Sequence, residues 1–338
     1  MAFAALGAEK SKEKPNPLLS LDRLYGKPEF SAKSYGVKWL EAGQGYVRLE
    51  KSKATKEARD IVRVDPATGK REILVAAKAL IPEGEKKPLA VSGYTFTKDL
   101  AKVLIYTNTR RVWRVHSRGD YWVLDRTSGK LHQLGGKEAS EATLMFAKFS
   151  PTNSNRVAYV RDKNVYVEDL PTGRIEVLTK RSRDTVINGT FDWVYEEELG
   201  LRDGFRWSPD GKRIAYWQMD EEGVKEMHMI NNVPGNYPQV VTFRYPKVGE
   251  TNARARVGVV SADGGETTWV QVEGDPRNHY IARMDWADNS KELLLQRLNR
   301  LQNRNAVMIA DAATGKAHTV YTDCDEAWIE VRFGFTDW

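Results

Sequence analysis

IVRVDPATGKREIL, residues 61–74, decides the fold, because the chain repeats this phrase four times. It returns as YWVLDRTSGKLHQL at 121–134, VYVEDLPTGRIEVL at 165–178 and VMIADAATGKAHTV at 307–320. Recurrence at this scale is the mark of a repeat architecture. Each copy runs from strand formers through Asp, two spacers, Thr or Ser, and Gly into a second strand. The Asp side chain accepts local backbone N–H bonds, and Gly69, Gly129, Gly173 and Gly315 supply the positive φ that closes a short loop. Alternating residues such as Val62 and Val64, or Val165 and Val167, predict one buried face per strand.

A second phrase precedes several of these hairpins: an aromatic, Ser or Ala, a turn, then an apolar strand. It reads FSPTNSNRVAYV at 149–160, WSPDGKRIAYW at 207–217 and WADNSKELLLQ at 286–296, with YTFTKDLAKVLIY at 94–106 a looser copy. Together the two phrases make a unit of four strands, the blade of a β-propeller. A β-sandwich would not repeat one hairpin four times. The expected fold is therefore all-β, a propeller of four-stranded blades. At about 50 residues per blade the chain accommodates about five or six. Residues 1–20 read as a tail and 21–338 as a partial propeller. The closing Phe335-Thr336-Asp337-Trp338 reads as the opening of a further blade, so the sequence is expected to be a piece of a longer protein.

Composition narrows the function. Of 338 residues, 41% are hydrophobic and 29% charged, ordinary for a globular protein, while ten Trp and fourteen Tyr favour strands. No apolar run reaches the roughly 18 to 20 residues of a membrane span. The net charge of +6 is spread among 46 acidic residues. The densest basic run, Lys51, Lys53, Lys56, Arg59 and Arg63, carries no interleaved aromatics, so no nucleic-acid partner is expected. Cys324 is the single cysteine, which precludes an internal disulfide. The five histidines lack metal-ligand spacing; neither a metal nor a cofactor is expected. The opening MAFAALGA has the character of a signal-peptide remnant.

One segment breaks the blade pattern: NGTFDWVYEEELGLRDGFRW, 188–207. Asp192 is an acceptable N-cap, and the residues to Leu199, with three successive glutamates, predict a short helix. Asn188-Gly189-Thr190 matches a glycosylation sequon, a triplet common by chance. DWVYEEEL at 192–199 resembles the double-glutamate motif of the dipeptidyl peptidase IV branch of the prolyl oligopeptidase family. YPKVGETN at 245–252 and LQRLNRLQN at 295–303 resemble its propeller, and VWRVHSRGDYWVLD at 112–125 the stretch with its substrate arginine. The likeness runs over residues 20 to 338.

That resemblance implies a propeller that selects substrate for a serine dipeptidyl peptidase releasing X-Pro or X-Ala dipeptides. It implies that Glu197 and Glu198 bind the free α-ammonium of a peptide substrate and that Arg114 contacts the carbonyl of its second residue. Val115 is extra relative to the family pattern, which makes Arg111 the next candidate. A peptide ammonium, with a pKa of about 7.7 to 8, is largely cationic and offers three donors, which two carboxylates satisfy. Adjacent helix positions point about 100° apart, so the pair must sit at a cavity rim to converge. No G-x-S-x-G and no βαβ alternation occurs, so no catalytic residue is expected in this chain. The partner implied is an α/β-hydrolase domain outside it, and a homodimer through the extended stretch Met227–Asn252. The family is typically exported or membrane-associated. A stand-alone propeller that binds peptides without catalysis is the alternative reading.

Overall fold

The computed structural model describes residues 18–26, 28–32, 36–41 and 43–331. The MAFAALGA segment and the Phe335–Trp338 blade opening lie outside the described residues. The chain divides into two compact units. The first, on residues up to Glu50 and from Asp60 to Leu74, holds most of a four-stranded antiparallel sheet. Its strands are β1 (Lys38–Trp39), β2 (Tyr46–Lys51), β3 (Arg59–Val64) and β4 (Arg71–Val75), neighbours in chain order.

The second unit carries four more antiparallel sheets, three of four strands and one of five. One is β5 (Gly93–Phe96), β6 (Lys102–Val112), β7 (Val115–Asp125) and β8 (Leu131–Gln133). The next is β9 (Met145–Phe149), β10 (Arg156–Arg161), β11 (Asn164–Asp169) and β12 (Arg174–Val177). The third gathers β13 (Val186–Asn188), β14 (Phe205–Trp207), β15 (Arg213–Asp220), β18 (Arg254–Ser261) and β19 (Thr268–Trp269). Between β15 and β18 runs a separate two-stranded ribbon, β16 (Glu226–Asn231) and β17 (Gln239–Arg244). The last is β20 (His279–Trp286), β21 (Glu292–Asn299), β22 (Arg304–Asp311) and β23 (Ala317–Cys324). These sheets are propeller blades, as the repeat implied.

The four repeated loops close alike. The N–H groups of Gly69, Gly129, Gly173 and Gly315 donate to the carbonyls of Asp65, Asp125, Asp169 and Asp311, each at 2.8 Å. All four glycines have φ between 68° and 74°, the left-handed region that a side chain resists. The Asp carboxylates accept local donors: backbone N–H of Thr68 and Ser128 foremost at Asp65 and Asp125, the hydroxyls of Thr172 and Thr314 foremost at Asp169 and Asp311. Those bonds hold the four carboxyls below the usual range.

The expectation of one buried face per strand is corrected. In β10, Val157 and Tyr159 pack with Leu104 and Val123 of the preceding sheet, while Ala158 and Val160 pack with Ile214 and Tyr216 of the following one. Residues Ala215, Trp217 and Met219 of β15 then join Met284, Leu293 and Leu295 of the last sheet. A blade between two others has no solvent face, so its middle strands are buried on both sides. Exposure returns at the fourth strands, β12 and β23. The recurring aromatics Phe96, Phe149, Trp207 and Trp286 each end the first strand of a sheet. The two tryptophans also stitch sheets together: Trp207 donates to the Lys148 carbonyl at 3.3 Å and Trp286 to the Arg206 carbonyl at 3.1 Å.

One blade departs from the rule. Its first strand is in two pieces, β13 pairing with 218–220 of β15 and β14 with 214–216. Between them the chain leaves for an excursion, 189–204, whose neck is closed by backbone alone. Gly204 N–H donates to Gly189, Gly189 N–H to Trp217, and Trp217 N–H to Gly204, each at 3.0 Å. A Cβ on Gly204 would lie 2.6 Å from the Gly189 carbonyl carbon and 2.7 Å from Thr190 N. Neither is a flexible group that yields. Gly204→Ala is therefore expected to destabilise the fold by about 1 to 3 kcal/mol, read from urea unfolding. An unchanged midpoint would mean the neck opens freely.

Candidate functional site

The excursion carries the helix α1 (Trp193–Glu197). Asp192 caps it, accepting from Tyr195 N–H at 3.1 Å. The helix is too short to stand by itself, and tertiary contacts fix it. The rings of Phe191 and Tyr195 stack at 5.4 Å. Tyr195 Oη accepts from Ile281 N–H at 2.9 Å, and Arg283 donates to the Leu199 carbonyl at 3.0 Å. Both partners flank an irregularity in β20, where the pairing shifts between Ile281 and Arg283. Such a bulge releases backbone groups from the ladder, and here Tyr195 takes the Ile281 N–H while the Arg283 side chain holds the turn after the helix.

The second component is the tip of the β6–β7 hairpin. These strands have eleven residues each, longer than any others described, and pair out to Val112 and Val115. Trp113 and Arg114 form the turn between them. Arg114 Nε donates to Glu197 Oε2 across 83 residues of sequence. The guanidinium is 78% exposed, whereas the Glu197 side chain is 9% exposed. Glu197 Oε1 is buried, with no hydrogen-bond partner among the described residues.

The three glutamates thus have three environments. Glu196 is buried, and burial pushes its carboxyl up to about 7; Arg202 opposes this, while Glu197 and Asp192 add to it. Asp192 is likewise pushed up to about 7, chiefly by burial, against the bond from Tyr195 N–H. Glu197 takes Arg114. Glu198, the C-cap, is exposed. The structure brings Arg114 and Glu197 together and leaves the Glu198 side chain at the surface. Arg111 lies opposite His116 in the hairpin ladder and is exposed.

Beside the helix opens a cleft of about 570 Å³, walled by Val112, Trp113, Phe191, Trp193, Glu196 and Phe243 among others. Sequence reasoning gave Glu196 no role, and nothing local marks it as the buried member of the run. The sequon is sterically closed: Asn188 is fully buried and its amide spans Asn164 and Gln218. Among the described residues no group of three or more His, Cys, Asp or Glu is placed to hold a metal ion. No described helix is long and apolar enough to cross a membrane. Cys324 is free and exposed.

Residues 97–336 match the family of the dipeptidyl peptidase IV (DPP IV) N-terminal region. The chain is 30% identical over 330 residues to "Probable dipeptidyl-aminopeptidase B" of Neurospora crassa, covering 90% of this chain and 35% of that protein. It is 29% identical over 267 residues to dipeptidyl aminopeptidase B of Saccharomyces cerevisiae, covering 77% of this chain and 31% of that protein. The chain therefore spans about a third of the length of these relatives. The crystal structure of Porphyromonas gingivalis dipeptidyl peptidase 4 superposes with a TM-score of 0.80 at 26% identity, over 93% of this chain and 43% of that one.

Proposed function

Because the chain belongs to the dipeptidyl peptidase IV N-terminal region family, we propose that it admits peptides by their free N-terminus for a serine dipeptidyl peptidase. Glu197 is the anchor, supported by Glu198, and Arg114 orients the peptide. The observation that carries this reading is the Glu197 carboxylate: nearly buried, with one oxygen on Arg114 and the other without a donor among the described residues. An unsatisfied buried carboxylate oxygen is costly, and a cationic donor relieves it. A peptide α-ammonium brings three donors and no acceptor.

Arg114 reaches Glu197 through Nε, which leaves the rest of a planar fork of donors for a peptide carbonyl. Chain and carboxylate together then measure two residues from the N-terminus. Dipeptides of the X-Pro or X-Ala type are released by a hydrolase domain that contributes the Ser, Asp and His. This propeller recognises and the hydrolase domain cleaves. The whole protein is exported or membrane-associated, and the exposed β16–β17 ribbon, with Ile230, Val233 and Tyr237 all more than half exposed, is the surface through which it dimerises.

The test uses the full-length protein and a tripeptide whose second peptide bond is reduced and uncleavable. Acetylating its N-terminus removes the charge and should weaken binding by about tenfold to a hundredfold, measured by calorimetry. Arg114→Ala should weaken the free peptide by about tenfold, and Arg111→Ala by less than about twofold. Equal affinity for the free and acetylated peptides would end this reading. A larger effect at Arg111 would move the arginine role from the hairpin turn to β6.

A further inference from the structure

Arg114 stands on a turn that strains its own backbone. Trp113, the residue before it, has φ of +50°, a region a bulky side chain rarely enters and which hairpin turns give to Gly or Asn. Such a conformation persists only where the surroundings impose it. The Trp113 ring meets Phe243 of β17 edge to face, with centroids 4.8 Å apart and planes at 63°. Phe243 in turn meets Tyr245 at 6.1 Å and 90°, and Tyr245 meets Trp193, the first residue of α1, at 4.4 Å. Four aromatic rings thus run from the arginine turn, across the base of the ribbon, to the glutamate helix.

The contacts are placed where they matter. Phe243 lies opposite Met227 near the foot of the ribbon, and its neighbour Arg244 ties that foot down by donating to the Val224 carbonyl at 2.9 Å. A two-stranded ribbon is only marginally stable without such anchors. The turn, for its part, projects on two long strands, and among the described residues its exposed arginine has only the Glu197 ion pair to aim it, which water screens.

We infer that Phe243 is a positioning residue: it holds Trp113 in its strained turn and thereby aims Arg114 at Glu197 and at the peptide. The inference rests on the proposed role of Arg114. It makes the ribbon part of the recognition machinery, although the ribbon carries none of the glutamates or the arginine.

A double-mutant cycle on the full-length protein tests it, with the same uncleavable tripeptide as probe. An edge-to-face pair is worth enough that Phe243→Ala should weaken binding by about threefold to tenfold. In an Arg114→Ala background the same change should alter affinity by less than about twofold, because its effect passes through the arginine. Phe243→Trp, which keeps an aromatic edge against Trp113, should restore affinity. Additive losses would show that Phe243 touches the peptide directly and would overturn the inference, as would an unchanged affinity in Phe243→Ala. If Arg114→Ala alone has no effect, the proposed function fails first, and the two failures are told apart. A fall in the thermal midpoint without a change in affinity would reduce Phe243 to a packing residue and equally overturn it.

Discussion

Glu197→Ala should lower kcat/KM on a Gly-Pro reporter by about 10² to 10³ in the full-length enzyme, since an ammonium drawn out of water and then denied its carboxylate loses about 3 to 4 kcal/mol. The effect belongs to the substrate and not to the fold. The Arg114–Glu197 pair adds little to stability, because the guanidinium is 78% exposed and screened by water. Removal of the carboxylate also abolishes a buried oxygen that has no donor among the described residues. The thermal midpoint should therefore stay within a few degrees while activity collapses. Glu198→Ala should cost less, about tenfold, because an exposed carboxylate acts through higher dielectric. Activity within a few-fold of wild type in Glu197→Ala would remove the anchor. A larger loss at Glu198 than at Glu197 would show that bound peptide reorganises the helix end.

What was legible in the sequence was local. The Asp-to-Gly loops could be read because each closes within five residues by bonds between its own groups, so the same letters must recur. The aromatics that end the first strands could be read for a similar reason, Trp207 and Trp286 having the same task one blade apart. The blade holding β15 escaped the first phrase because its outer hairpin is written differently, as SADGGETT at 261–268. The ribbon was visible as excess length between β15 and β18 and proved to be a sheet of its own.

What was hidden depended on distance along the chain. That 189–204 is inserted into the middle of a strand cannot be seen until β15 is laid beside both halves, and neither half alone has more than three residues. The pairing of Arg114 with Glu197 depends on the family resemblance in the sequence and on 83 residues of folding in the structure. Burial on both faces was missed because a period of two reports alternation of residue type. In β11 the second face holds Tyr166 and Glu168, the latter buried with His132 and Tyr159 on its carboxylate. A polar letter in a strand signals solvent only when no neighbour supplies its hydrogen bonds.

Trp217→Ala should be the most damaging single change to the fold, at about 3 to 5 kcal/mol, a large part of the roughly 5 to 15 kcal/mol that holds a domain together. The side chain has no exposed surface. Its ring meets Phe191 edge to face at 5.2 Å, and Nε1 donates to the Ile281 carbonyl at 2.9 Å, inside the β20 irregularity that also receives Tyr195. Truncation opens a cavity in the cluster shared by two sheets and strands a buried carbonyl. Because the backbone of the same residue closes the neck of the excursion, the loss should propagate to the helix. Peptide affinity should fall together with stability, unlike in Glu197→Ala, where only affinity falls. Trp217→Phe separates the two contributions: it keeps most of the ring packing and forfeits the bond to Ile281, so it should cost about 1 to 3 kcal/mol. Calorimetric unfolding of the three proteins decides the matter. A Trp217→Ala midpoint close to wild type would mean that the helix rests on Phe191 and Tyr195 alone.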